Sequence, residues 1–142
     1  MTHQLIHAIL IWLCFIPIAI LNGGLRTSLL DKWLGEKAAL PVSGILLSSL
    51  IFAMTLLFFP RLGKVSQTTC KIISCLWITF TVLFEFSFGI FEGISFKQLL
   101  QAYNPLTGNL WLLVLFTTAL SPMIARKIIA FKQSKNKQTP MQ

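Results

Sequence analysis

The feature that most constrains this chain is the placement of its charged residues, because long stretches carry none. Residues 1–25, 38–60 and 98–125 contain no Asp, Glu, Lys or Arg, and residues 72–91 contain only Glu85. A helix that crosses the hydrocarbon core of a bilayer needs about 20 largely apolar residues. Four such helices fit into the 142 residues and leave little chain for a soluble domain. The sequence therefore predicts an integral membrane protein.

The predicted fold class is all-α, an integral membrane bundle of four transmembrane helices. The helices are expected over about residues 5–25, 41–59, 70–91 and 109–129, within a single membrane domain of residues 1–131. In residues 27–39, apolar side chains recur at helical spacing and charged ones fill the other side, which predicts a short interfacial helix between helices 1 and 2. A second interfacial helix is expected over residues 96–102, between helices 3 and 4. The polar, basic segment 132–142 predicts a disordered cytoplasmic tail.

The formal net charge of +8 indicates orientation rather than nucleic-acid binding, because no folded polar domain carries a basic patch. Four helices place both termini on one side of the membrane. Eight basic residues lie on that side: Arg61, Lys64, Lys71, Arg126, Lys127, Lys132, Lys135 and Lys137. Four lie on the other: Arg26, Lys32, Lys37 and Lys97. The positive-inside rule then predicts cytoplasmic N- and C-termini in the bacterial inner membrane.

Glu85 is the residue that departs most from a plain lipid-facing helix. A carboxylate at membrane depth costs roughly 2.5–3.5 kcal/mol on insertion scales, and such residues usually face protein or water. Asn22 and Arg26 end helix 1 at a similar predicted depth in the outer half, and their i, i+4 spacing places them on one helix face if the helix continues through Gly23 and Gly24. Because a guanidinium suits a carboxylate, we expect Arg26 to pair with Glu85. The pair would be either a structural clamp between helices 1 and 3 or a binding site for a solute or an ion.

Tyr103 and Asn104 precede helix 4 on the same predicted outer side. The motif Tyr103-Asn104-Pro105 has two interpretations, a loop that holds a ligand or a turn with a helix cap. In either case Tyr103 is placed to cover the polar site. The predicted binding residues are therefore Asn22, Arg26, Glu85, Tyr103 and Asn104.

Motifs for catalysis and for metal binding are missing from the sequence. It contains no Gly-x-Ser-x-Gly, no P-loop and no His-Glu-x-x-His. His3 and His7 are spaced i, i+4 but have no third ligand nearby in the sequence. We therefore predict that the protein is not an enzyme and has neither a metal nor a cofactor.

Three segments carry a resemblance to a known group of proteins. They are LNGGLRTSLLDKWLG (residues 21–35), FEFSFGIFEG (84–93) and YNPLTGNLWLLVLFTTALSPMIA (103–125). The pattern resembles that of small four-helix bacterial inner-membrane proteins of uncharacterised function. The resemblance implies a membrane fold and no particular activity.

Taken with the charge pattern, these features predict a small multi-pass inner-membrane protein with an outward-facing polar site formed by Arg26 and Glu85. That site would bind a small solute, a lipid headgroup or a partner protein. The alternative is a dimeric transporter or channel protomer that uses Glu85 as a proton or cation site. The predicted partners are the lipid bilayer and either a second copy of the chain or another membrane protein, with no nucleic acid.

Overall fold

The structure, a computed structural model, describes residues 1–138, and every regular element in that range is helical. The four long helices are α1 (Thr2–Leu25), α3 (Glu36–Phe58), α4 (Gln67–Phe91) and α6 (Trp111–Gln138). Two short helices accompany them, α2 (Asp31–Leu34) and α5 (Phe96–Gln101). The prediction of an all-α chain is confirmed.

The first helix is longer than the sequence pattern indicates. Arg26–Leu30 form a π-helical turn that connects α1 directly to α2, so the helix continues from Thr2 to Leu34. The glycine pair near residue 23 lies inside it, because the roughly 1 kcal/mol that each glycine costs does not break a helix of this length. The helix ends at Gly35, whose φ of 79° and ψ of 155° belong to a region reserved for glycine. The expected separate helix in residues 27–39 is thus a continuation of α1, and α3 begins at Glu36 instead of Pro41.

The long helices alternate in direction, and α6 packs against both α3 and α4 while α1 packs mainly against α3. One end of the bundle holds the start of α1 and the far end of α6. There the Gln4 amide donates to the carbonyls of Leu62 (3.2 Å) and Lys64 (3.0 Å), and Arg126 Nε donates to the carbonyl of Val65 (3.0 Å). We call this the termini end, and the opposite end, which holds Gly35 and the α4–α6 connection, the Tyr103 end.

Aromatic side chains join α1 to α4 in the middle of the bundle. Trp77 is fully buried, and its indole N–H donates to the carbonyl of Ala8 at 2.9 Å. Trp12 in turn donates to Thr81 Oγ1 at 2.9 Å. A buried indole needs a partner for its N–H. These two bonds therefore fix the register of the two helices as well as filling the core.

The α4–α6 connection folds back over the end of α4. Ser95 begins α5 with a capping box, and Leu99 of α5 packs where Gly89 of α4 leaves room for it. A 3₁₀ turn, Pro105–Thr107, then leads into α6. The predicted helix over residues 96–102 is present as α5, and the fold-back carries Tyr103 over the last turns of α4.

The last helix is also longer than expected. α6 continues to Gln138, so residues 132–138 of the predicted disordered tail are helical, and residues 139–142 lie outside the described residues. Lys and Gln are good helix formers. Lys135 and Lys137 occupy the last turn, where positive charge interacts favourably with the helix dipole.

Four helices in the described part of the chain are long and apolar enough to cross a membrane: Thr2–Leu34, Glu36–Leu62, Gln67–Phe91 and Trp111–Lys137. Large apolar side chains stay exposed on their outer faces, among them Leu21, Leu57 and Phe116. In water such a surface would be unfavourable, whereas lipid tails suit it. The bundle therefore has the construction of a multi-pass membrane protein.

Candidate binding site at the Tyr103 end

Glu85 is half-buried near the end of α4, and its partner is a phenol. Tyr103 Oη donates to Glu85 Oε2 at 2.7 Å, and the Tyr103 ring stacks on Phe86 with 6.0 Å between ring centroids. Burial and the bond to Glu85 raise the pKa of Tyr103 above its usual value. The phenol therefore remains a hydrogen-bond donor to Glu85 across the ordinary pH range.

Among the residues that the structure describes, Arg26 and Glu85 do not form the expected ion pair. Glu85 accepts its hydrogen bond from Tyr103, and Arg26 lies in the π-helical turn facing a cavity beside α3. A π-turn fits an extra residue into the helix and so changes the direction of the side chains around it. The sequence pattern does not show where a π-turn forms and therefore could not give this direction.

The cavity that Arg26 faces lies between α1, α3 and α6 and has a volume of about 130 Å³. That is roughly the liquid volume of four water molecules. We call it the Asn22 cavity. Its polar lining consists of Asn22, Arg26, Ser43, Asn109 and Trp111.

Asn22 is only 6% exposed, and only one of the two polar atoms of its side-chain amide has hydrogen-bond partners. Its Nδ2 donates to Ser43 Oγ (2.8 Å) and to the Ser43 carbonyl (3.3 Å). Because a carbonyl can only accept, this contact fixes the orientation of the amide. Asn22 Oδ1 is thus an acceptor, and it is buried without a partner among the described residues. Such an atom costs about 1–3 kcal/mol unless something bonds to it.

Trp111 lies between the cavity and the Tyr103–Glu85 pair. Its indole Nε1 is also buried and unpaired within residues 1–138, and it can only donate. Trp111 is the first residue of α6, where Asn109 Oδ1 accepts from its backbone N–H at 3.1 Å. The indole N–H also lowers the pKa of Tyr103, so it is directed towards the Tyr103–Glu85 pair, whose side chains do not line the cavity. Trp111 therefore connects that pair to the cavity.

Asn104 has a local role in the turn. Its Oδ1 accepts from the Leu106 N–H at 3.0 Å and caps the short 3₁₀ turn, while the residue itself is exposed. Of the two interpretations of this segment, the turn and cap describe Asn104. The predicted residues thus separate into three places: Asn22 and Arg26 in the cavity, Glu85 and Tyr103 in the neighbouring pair, and Asn104 in the turn.

Ser43 and Trp111 were not among the site residues predicted from the sequence. A serine in an apolar helix usually serves close helix packing, and a tryptophan at a helix end usually marks the membrane interface. Neither residue has a sequence signal that separates those common roles from lining a cavity.

Comparison of the chain with protein-family models, with curated proteins and with solved structures gives no match. Within the described range, no three His, Cys, Asp or Glu side chains come together as a metal site.

Proposed function

We propose that this is a multi-pass protein of the bacterial inner membrane that binds a small polar molecule in the Asn22 cavity. Both termini would lie in the cytoplasm and the Tyr103 end would face the periplasm. The support for this orientation is the charge distribution, with eight basic residues towards the termini end and four towards the other. The proposal is for binding without catalysis.

The observation that carries the proposal is the unpaired Asn22 Oδ1. Buried polar groups in proteins almost always have a partner, and each exception needs a reason. Here the unpaired acceptor belongs to a residue that lines a cavity large enough for a small molecule. A bound molecule that donates to Asn22 Oδ1 supplies that reason.

In this proposal, the Glu85–Tyr103 pair positions one wall of the site and does not bind the ligand. The pair holds the α4–α6 connection over α4 and beside Trp111. A proton or cation role for Glu85 in a dimeric transporter stays a prediction from the sequence.

The test uses two adjacent glycines of α1 that differ in one respect. Gly23 lines the cavity and Gly24 does not, and a Cβ at either position meets no other atom within 4 Å. We expect Gly23→Leu to fill the cavity and to expel its ligand, whereas Gly24→Leu leaves the cavity open. Native mass spectrometry of protein released gently from membranes measures the molecule retained by each variant.

The expected result is an additional mass on the wild type and on Gly24→Leu that is missing from Gly23→Leu. Circular dichroism and gel filtration of both variants confirm that the bundle is folded. A wild-type protein with no retained molecule, or a molecule that folded Gly23→Leu still retains, contradicts the proposal.

A further inference from the structure

Two features of the Asn22 cavity favour an anionic oxygen. Arg26, which lines the cavity, brings a full positive charge. The cavity also lies at the start of α6, a 28-residue helix whose N-terminal dipole is positive. Anions commonly bind where a helix N-terminus and a basic side chain meet. The ligand therefore carries an oxyanion.

A third feature requires a hydrogen-bond donor on the same ligand. Asn22 Oδ1 accepts only, because its amide nitrogen is bonded to the Ser43 carbonyl. An oxyanion without a proton would bring its lone pairs close to those of Asn22 Oδ1. Asn22 Oδ1 would then still have no hydrogen-bond donor. An O–H group next to the anionic oxygen would satisfy it. A ligand with both groups suits the charge of Arg26 and the unpaired oxygen of Asn22.

The size of the cavity limits the ligand further. Its volume of about 130 Å³ is well below the roughly 300–1,000 Å³ of sites for drug-sized molecules. It suits a tetrahedral oxyanion or one headgroup of that size. The acyl chains of a lipid would have to stay outside, where Leu21 of α1 is 73% exposed.

We infer that the Asn22 cavity binds a phosphate group that has a hydroxyl donor beside its anionic oxygen. Two sources share this chemistry: inorganic phosphate, which keeps a proton at neutral pH, and the headgroup of phosphatidylglycerol. Arg26 binds the anionic oxygen, and Asn22 accepts from the hydroxyl. This inference rests on the proposed function, because it names the ligand of the same cavity.

The first arm of the test titrates purified protein, in a detergent without phosphate, with inorganic phosphate and with sulfate. Sulfate has the same shape and no proton at neutral pH. Binding is followed by tryptophan fluorescence, and the Trp111→Phe variant identifies the signal from the cavity. We expect phosphate to bind more tightly than sulfate, because only phosphate can donate to Asn22 Oδ1.

Two variants assign the roles. Arg26→Gln removes the positive charge and should weaken phosphate binding about tenfold or more, the usual effect of losing a hydrogen bond to a charged group. Lys32→Gln is the matched control, since Lys32 is exposed on the neighbouring α2 and does not line the cavity. Asn22→Leu should abolish the preference for phosphate over sulfate. If Asn22→Leu fails to fold, the wild-type preference alone decides the role of the hydroxyl.

The second arm separates the two sources. Protein is reconstituted in nanodiscs of phosphatidylglycerol or phosphatidylcholine, whose headgroup has no donor, and the lipids retained after release are measured. Arg26-dependent retention of phosphatidylglycerol identifies a lipid ligand, and binding of inorganic phosphate alone identifies a soluble one. If neither probe shows Arg26-dependent binding, or if sulfate binds as tightly as phosphate, the inference is overturned. A retained molecule that Gly23→Leu loses would in that case still support the proposed function.

Discussion

At the scale of single residues, the Tyr103–Glu85 bond explains how an acid is tolerated near the end of an apolar helix. The phenol supplies a neutral hydrogen-bond donor to the carboxyl group at 2.7 Å. Arg26 is left to face the Asn22 cavity. Glu85 stands out in the sequence, but the partner predicted for it was a charged side chain. That prediction was wrong because it assumed that a carboxylate is neutralised by charge pairing.

Tyr103 is the single tyrosine of the chain, so its ionisation can be observed by ultraviolet absorbance without interference. Its pKa is raised in the folded protein. The stability that the protonated phenol contributes is therefore fully present below the pKa of an unfolded tyrosine, about 10, and is lost as the pH rises through the folded-state pKa. We expect tyrosinate absorbance in the folded protein to appear only above the pH at which denatured protein titrates.

The matched variant for this titration is Glu85→Gln, which keeps the shape of the side chain and removes the carboxylate. We expect its Tyr103 pKa to fall towards the ordinary value, because the bond to Glu85 is one cause of the shift. A folded wild-type protein that titrates together with the denatured chain would show that the bond does not form.

At the scale of the elements, glycines decide where the first helix ends. Gly23, Gly24 and Gly35 are equally plausible helix ends in the sequence, yet only Gly35 has a positive φ, 79°. A glycine allows either outcome, and its neighbours decide between them. That ambiguity is why the bounds of α1 and α3 could not be predicted, although the presence of both helices could.

Two alanine substitutions test this assignment. At both Gly35 and Gly24 an added Cβ meets no other atom within 4 Å, so the two positions differ in backbone conformation. We expect Gly35→Ala to lower the free energy of unfolding by about 1–3 kcal/mol, because an L-residue is strained there. Gly24→Ala should raise it by up to about 1 kcal/mol, because helix interiors favour alanine.

The measurement is reversible unfolding of both variants in mixed detergent, followed by circular dichroism. Equal effects of the two substitutions would contradict a helix that runs through Gly24 and ends at Gly35.

At the scale of the whole molecule, the sequence predicted the most general features. The charge-free stretches predict four long helices because lipid solubility is a property of composition, which needs no tertiary structure. The Asn22 cavity could not be predicted in this way. It depends on Arg26 turning towards α3 and on the start of α6 lying beside Ser43 and Gly44, and those are matters of helix packing.

The proposed orientation can be tested by labelling cysteines in intact cells. Cys14, Cys70 and Cys75 are free, so they are first replaced. We expect Leu106→Cys, at a position 92% exposed in the α4–α6 connection, to react with a membrane-impermeant maleimide before lysis. Lys64→Cys, exposed at the termini end, should react only after lysis. The reverse pattern would place the cavity towards the cytoplasm.

An experimental map of the protein in a lipid nanodisc, at a resolution that shows bound small molecules, is the sharpest test of the proposed site. We expect non-protein density in the Asn22 cavity, within hydrogen-bonding distance of Asn22 Oδ1. A cavity that has closed, with Asn22 Oδ1 bonded to another group of the protein, would contradict the proposal.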